Sequence, residues 1–385
     1  NEELQESISN EFFTLILTGE DGSFSLHDKT NNVLYENLNT FVDRGDRGDE
    51  YNYTPPENDS FYTPKIVSVE TTKNSLSEMM LLRMNLEIPI GLSNRRDQRS
   101  NDFVTCALDV ALSLTRGLPQ VNVQVVFDNN ALDHRLEVHF PSGLVVDTAR
   151  FDGHFQIVER PIDLPEADST WRELPRPEVP QRAFTDVSIE SHGLTIANRG
   201  LPEVAVLRDE QGKAEIALTL LRCVGWLSRD DLWNRQGQAG PPLPTMGAQE
   251  QATYLFNYAI IPHGADFGSA VVLAQSYQVD LDTIVGPLKR GCIAPSNQMV
   301  TVTPSEFMIT TLKEAENEAG WILRGVNLSD ETIDVKITAN LPYKSVTLVN
   351  LDESHLADLE LRENDDVELA VGAHKIVTFF FRISD

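Results

Sequence analysis

Apolar and polar residues alternate along most of this chain. In Met79–Ile90, MMLLRMNLEIPI, the apolar Leu82, Met84, Leu86 and Ile88 alternate with Arg83, Asn85 and Glu87. A period of two places one set of side chains on each face of a strand, so the segment predicts a strand rather than a helix. Residues 11–38 carry short apolar runs broken at Glu20-Asp21-Gly22 and at Lys29-Thr30-Asn31-Asn32, which predicts a meander. VNVQVVFDNN (121–130) and HRLEVHFPSG (134–143) predict a hairpin that turns near Asp128-Asn129-Asn130. The longest apolar run, Ile216–Leu227, predicts a central strand buried on both faces. TYLFNYAIIPH (253–263) and AVVLAQSYQVDL (270–281) read as further strands, and short strand patterns resume from Phe307 to the end.

The breaks in this pattern are long. Phe41–Pro56, FVDRGDRGDEYNYTPP, is so dense in charge and glycine that it predicts a loop. Residues 159–182 hold five prolines (Pro161, Pro165, Pro175, Pro177, Pro180) and predict an exposed flap. Asp230–Ala252 predicts another long loop, and a Pro/Gly-punctuated stretch runs from Gly286 to Pro304. The expected architecture is all-β: a large antiparallel β-sandwich over residues 1–290, then a smaller β-sandwich over 300–385. Function is expected in the long loops.

Composition narrows the partners. The 385 residues hold 31 Lys+Arg against 59 Asp+Glu, a formal charge of −28 that repels phosphate backbones and anionic lipid. Neither nucleic acid nor a membrane is expected as a partner. No apolar run reaches the ~20 residues that span a bilayer. Cys106, Cys223 and Cys292 are far apart and odd in number, which predicts a reducing, cytoplasmic setting.

Candidate chemistry centres on the charged loop. Asp43, Arg44, Asp46, Arg47, Asp49 and Glu50, followed by Tyr51 and Tyr53, supply groups that bind hydroxyls and rings that pack on a sugar's apolar face. The alternative is that these arginines and aspartates pair with each other and hold the loop in shape. The acidic cluster has oxygens for calcium, although Arg44 and Arg47 offset its charge. No nucleophile elbow, phosphate-binding loop or Cys-x-x-Cys pair is present. His134 and His139 lie an odd number of residues apart on one strand and point to opposite faces, so they predict no shared metal ion. Asp133, His134 and Arg135 are instead expected to bond to one another.

Several stretches, in combination, resemble the C-terminal β-region of bacterial family 38 glycoside hydrolases, the retaining α-mannosidases. They are GDRGDEYNYTPP (45–56), NNALDHRLEVHFPSG (129–143), FDGHFQIVER (151–160), LTLLRCVGWLSRDDL (218–232), GAQEQATYLFNYAIIPH (247–263) and LKEAENEAGWILRGVNLSDE (312–331). The resemblance covers essentially the whole chain and implies a galactose-mutarotase-like sandwich. It also implies that zinc and the catalytic aspartates stand on a separate N-terminal domain, which this chain lacks. No catalytic residue, metal ligand or cofactor is then expected here, and the fragment alone is expected to be inactive. The implied partners are that N-terminal domain and a mannoside substrate, with assembly into a homo-oligomer as a further possibility. In the family, the β-region lends loops to the active-site rim. By motif, Tyr51 falls where the family places a sugar-bonding tyrosine, and Arg160 falls near a cavity-lining arginine. Asp49 and Arg47 flank Tyr51 as candidate rim residues. Two other classes remain open: a stand-alone carbohydrate-binding module with a platform drawn from Trp171, Trp226, Trp233 or Trp321, and a structural interaction domain.

Overall fold

A computed structural model describes residues 6–286, 297–360 and 366–383, so Cys292 lies outside the described residues. Nearly all the regular elements among the described residues are antiparallel strands, and the chain divides into two compact units. The first comprises residues 1–151 and 159–278, and the second residues 152–158 and 279–385.

The first unit contains three sheets. Ser7–Ser9, Phe13–Leu17, Phe24–Asp28 and Val33–Leu38 form the expected meander in chain order. A five-stranded sheet runs in the order Val179–Pro180, Glu203–Arg208, Ala214–Arg222, His134–Pro141 and Thr40–Gly45. The apolar run at 216 lies at its centre, buried on both faces, but its strand ends at Arg222. A nine-stranded sheet includes Val121–Asp128, Phe103–Thr115 and Ser77–Pro89 as successive neighbours near one side. The alternation around Met79 holds: Met80, Leu82, Met84, Leu86 and Ile88 are buried, while Arg83, Asn85 and Glu87 are exposed. One hydrophobic core joins the sheets. Phe140 of the five-stranded sheet meets Tyr258 of the nine-stranded sheet edge to face, with ring centroids 5.7 Å apart.

Three expectations change. Val121–Asp128 and His134–Pro141 are not a hairpin, because each belongs to a different sheet and residues 129–133 cross between them. Asn129 fixes that crossing: its side-chain oxygen accepts from Ala131 N at 3.0 Å, and its Nδ2 donates to Glu250 O at 2.9 Å. Phe267–Ser276 is a helix rather than a strand. Asp266 caps its first turn by accepting from Ser269 N, and Ala270, Val271 and Ala274 form its buried face. Thirdly, Phe41–Gly45 is a strand and not part of the loop. It pairs with His134–Pro141 in the register Phe41↔Val138, Asp43↔Leu136 and Gly45↔His134. Charge does not break it because Asp43, fully buried, lies between Arg99 Nη2 and His134 Nδ1, each 2.6 Å away.

The second unit holds a three-stranded sheet (Val300–Thr303, Ile333–Ala339, Val367–Val371) and a five-stranded sheet. The latter runs Phe307–Glu314, Gly320–Asn327, Ile376–Arg382, Ser345–Val349, His355–Leu359. Its core includes Phe307, Trp321, Val335, Val346, Phe379 and Phe381, and Trp321 stacks on Phe381 at 3.8 Å.

Candidate functional site

Two of the three carboxylates of the Asp46–Pro56 loop, Asp46 and Asp49, are buried and gripped from elsewhere in the chain. Asp46 accepts from Arg222 Nε at 2.6 Å and from Gly48 N at 2.8 Å. Asp49 accepts from Arg235 Nη2 at 2.5 Å, Arg229 N at 2.8 Å and Asn52 N at 2.9 Å. Burial alone would raise the Asp49 pKa, but Arg235 and these backbone N–H groups hold it below the ordinary value. Arg222 Nη2 donates to the carbonyls of Asp49 and Asn52 at 2.6 Å. Arg47, also buried, reaches Asp231 O at 3.2 Å and Glu57 at 3.4 Å. The alternative in which the loop's own arginines and aspartates pair with each other does not hold for Asp46 and Asp49, which pair with Arg222 and Arg235. Gly48 is obligatory, since a Cβ there would sit 2.0 Å from Asn52 O.

The same geometry draws the three long loops into one assembly. Asn234 Nδ2 donates to Tyr53 O at 2.8 Å, and Trp233 Nε1 to Pro55 O at 3.2 Å. The proline-rich flap joins through Leu174 N to Asn234 O at 2.9 Å and Arg176 Nη1 to Tyr51 O at 3.3 Å. It is also tied by a hydrogen bond from the Asn52 side-chain amide to Glu173. What the assembly leaves outward is Glu50 and Tyr51. Tyr51 is 47% exposed beside Gly240, and its hydroxyl has no hydrogen-bond partner among the described residues.

Below this tip lies a cleft of about 250 Å³ between the five-stranded sheet and the loops. Arg44, Arg135 and Glu137 line its floor, with Tyr53, Leu174–Glu178, Trp233 and Asn234 around it. Arg135, 1% exposed, contacts Glu178 at 2.6 Å, Glu137 at 3.0 Å and Glu203 at 3.2 Å, and lies 4.6 Å over the Tyr53 ring. Burial would raise the Glu137 pKa, yet His139, Arg135 and Arg44 bring it down to about 2. The sequence named Tyr53 only as a ring of the charged loop and Arg135 only as a partner of Asp133 and His134, and it did not single out Arg176 or Glu178. The flap's prolines signalled a stiff wall, but not the sheet it would face.

Other expected sites are placed as follows. Arg160 lies on Ile157–Pro161 with its guanidinium 5.0 Å over Phe151, and among the described residues no contact joins it to Tyr51, Arg47 or Asp49. Burial lowers its pKa. Its neighbours Glu159 and Asp163 bond instead to Thr148 and Arg208. Asp133, His134 and Arg135 do not bond to one another. His134 contacts Asp43 and Asn129, Asp133 contacts Gln249, and Arg135 contacts the three glutamates. Among the four tryptophans, Trp171 and Trp233 are exposed, Trp226 lies under Arg229, and Trp321 is buried. Among the described residues, no three His, Cys, Asp or Glu side chains are placed to hold a metal ion, and Asp43, Asp46 and Asp49 are committed to arginines. These residues do not fit a zinc or calcium site. No described helix is long and apolar enough to cross a membrane.

The fold is thus that of an all-β chain of antiparallel sheets, with three long loops tied into one polar assembly beside the five-stranded sheet. Residues 8–231 match the glycosyl hydrolases family 38 C-terminal domain, and residues 306–379 match that family's C-terminal beta sandwich domain. The chain therefore belongs to glycosyl hydrolase family 38, as its C-terminal region. A protein of Halalkalibacterium halodurans named for mannosylglycerate hydrolysis is 26% identical over 389 residues, covering 95% of this chain and 40% of that protein. Two structures from Enterococcus faecalis are also similar. One, a family 38 protein, has TM-score 0.80 and 25% identity over 98% of this chain and 44% of its own. The other, an alpha-mannosidase, has TM-score 0.81 and 26% identity over 98% and 42%. The chain thus spans about two-fifths of the length of these relatives.

Proposed function

We propose that this chain is the non-catalytic C-terminal part of a retaining, zinc-dependent α-mannoside hydrolase, and that it lends the Asp46–Pro56 loop to the rim of the active site. Zinc and the catalytic carboxylates would stand on an N-terminal domain of the same polypeptide, against which this region packs. The relative named for mannosylglycerate hydrolysis and the alpha-mannosidase structure support α-mannosides as the substrate class. Two buried free cysteines, Cys106 and Cys223, suit a cytoplasmic setting.

The observation that carries the rim role is the outward phenol of Tyr51 on a loop whose Asp46, Arg47 and Asp49 are gripped internally. A hydroxyl fixed in this way can orient a sugar hydroxyl without losing freedom on binding. Asp49 and Arg47 act as positioning residues, because both are buried beneath the tip. Arg160 is proposed as a second rim residue on its motif alone, since its guanidinium lies over Phe151 and, among the described residues, touches none of the other rim residues. In the intact enzyme, Tyr51→Phe should lower kcat/KM for an aryl α-mannoside by roughly tenfold, the worth of one hydrogen bond, with zinc content unchanged. An unchanged kcat/KM would remove Tyr51 from the site.

A further inference from the structure

The cleft beneath the tip takes no part in the rim role, and its chemistry is distinct. Its charges balance. Arg44, Arg135 and Arg176 face Glu137 and Glu178, with Glu203 as a third partner of Arg135. An anion or cation entering here would have to break a desolvated ion pair, whereas a neutral polyol can add to the free lone pairs and protons.

Such capacity is present. Glu178 accepts from Arg135 through Oε1, leaving Oε2 without a hydrogen bond among the described residues. Arg135 Nε is buried with no partner, and the Tyr53 hydroxyl has none among the described residues. Trp233 is pinned at Nε1 by Pro55 O yet remains 56% exposed, so a ring face is available at the cleft mouth. Leu174, Pro175, Pro177 and Leu207 supply an apolar wall. A flat aromatic face, balanced charge and unfilled polar atoms suit a pyranose, which has apolar C–H faces and a hydroxyl edge.

We propose that this cleft binds one neutral hexopyranose unit, stacked on Trp233 with its hydroxyls bonded to Tyr53 and Glu178. Its volume of about 250 Å³ fits a single ring. The bond from Arg176 to the Tyr51 carbonyl places the cleft wall beside the proposed rim, but Tyr51 is not among the residues that line the cleft, so the unit bound there is a different sugar from the one Tyr51 would contact. The inference rests on the sugar-directed reading of this chain, but it fails separately. The rim is read by turnover of the intact enzyme, and the cleft by binding to this 385-residue chain.

The test titrates the chain with mannobiose, using ligand-observed NMR and tryptophan fluorescence. We expect saturable binding with a Kd of about 1–10 mM that changes little between about 0.05 and 0.5 M NaCl. Trp233→Ala should weaken it by roughly tenfold, and Trp233→Phe, which keeps a stacking ring, by less than about threefold. Thermal melts of all three proteins should agree within a few degrees. Three outcomes would overturn the proposal: no saturable binding, binding undiminished in Trp233→Ala, or binding displaced by inorganic phosphate and steeply salt-dependent. If Trp233→Ala melts early, Trp233→Phe decides, because loss of binding in that folded variant counts against stacking.

Discussion

At the scale of single residues, the aspartates of the charged loop are held by arginines far away in the chain. Arg222 and Arg235 grip Asp46 and Asp49 across 176 and 186 positions. The sequence showed the density of charge at 43–50 but gave no means to match those partners, because long-range pairing leaves no local period. Tyr53 was visible as a loop tyrosine and Arg135 as a strand charge, but nothing local in the sequence showed that the guanidinium would lie over that ring. His134 supports a prediction of its own. Burial opposes charging the ring, but Asp43 more than offsets this and pushes the pKa up to about 10. The geometry agrees: Nδ1 faces Asp43 Oδ2 at 2.6 Å, and Nε2 faces Asn129 Oδ1 at 2.9 Å, both acceptors. Because the folded pKa lies above the unfolded one, this stabilisation is complete below about pH 6.5 and is lost as pH rises through 10. Thermal stability should therefore fall between pH 7 and 10, and the His134 ring protons should titrate near the upper limit of that range by NMR. A His134 titration near pH 6.5 would refute the charged ring.

At the scale of elements, strands announced themselves by alternation, and the errors came where one pattern admits two structures. Phe267–Ser276 is apolar enough to read as a strand, and only the Asp266–Ser269 cap distinguishes the helix. Asp266→Ala should cost about 1 kcal/mol, seen as a lower denaturant midpoint and as faster amide exchange at Ser269. An unchanged midpoint would mean that packing of Ala270 and Ala274 alone fixes the helix. Val121–Asp128 and His134–Pro141 failed as a hairpin for a related reason. Both are apolar enough to serve as inner strands, and sequence proximity does not reveal that a five-residue connection crosses from one sheet to another.

For the whole molecule, the all-β class was legible because period-two patterning persists from the first strand to the last. The contribution of 152–158 to the second unit was not, since a short segment leaves no compositional mark. The second unit nonetheless has a hydrophobic core drawn from Val300 to Phe381 alone. Residues 297–385 expressed by themselves should thus melt cooperatively with dispersed amide resonances. A broad, non-cooperative transition would show that this core depends on the rest of the chain.

Gly48 has a practical consequence for redesign. With no space for even a methyl group there, and with Asp46, Asp49 and Asn52 buried, the loop tolerates variation chiefly at Glu50 and Tyr51. A mutant library that probes the proposed rim can be confined to those two codons, since diversity elsewhere in the loop would mostly generate misfolded members.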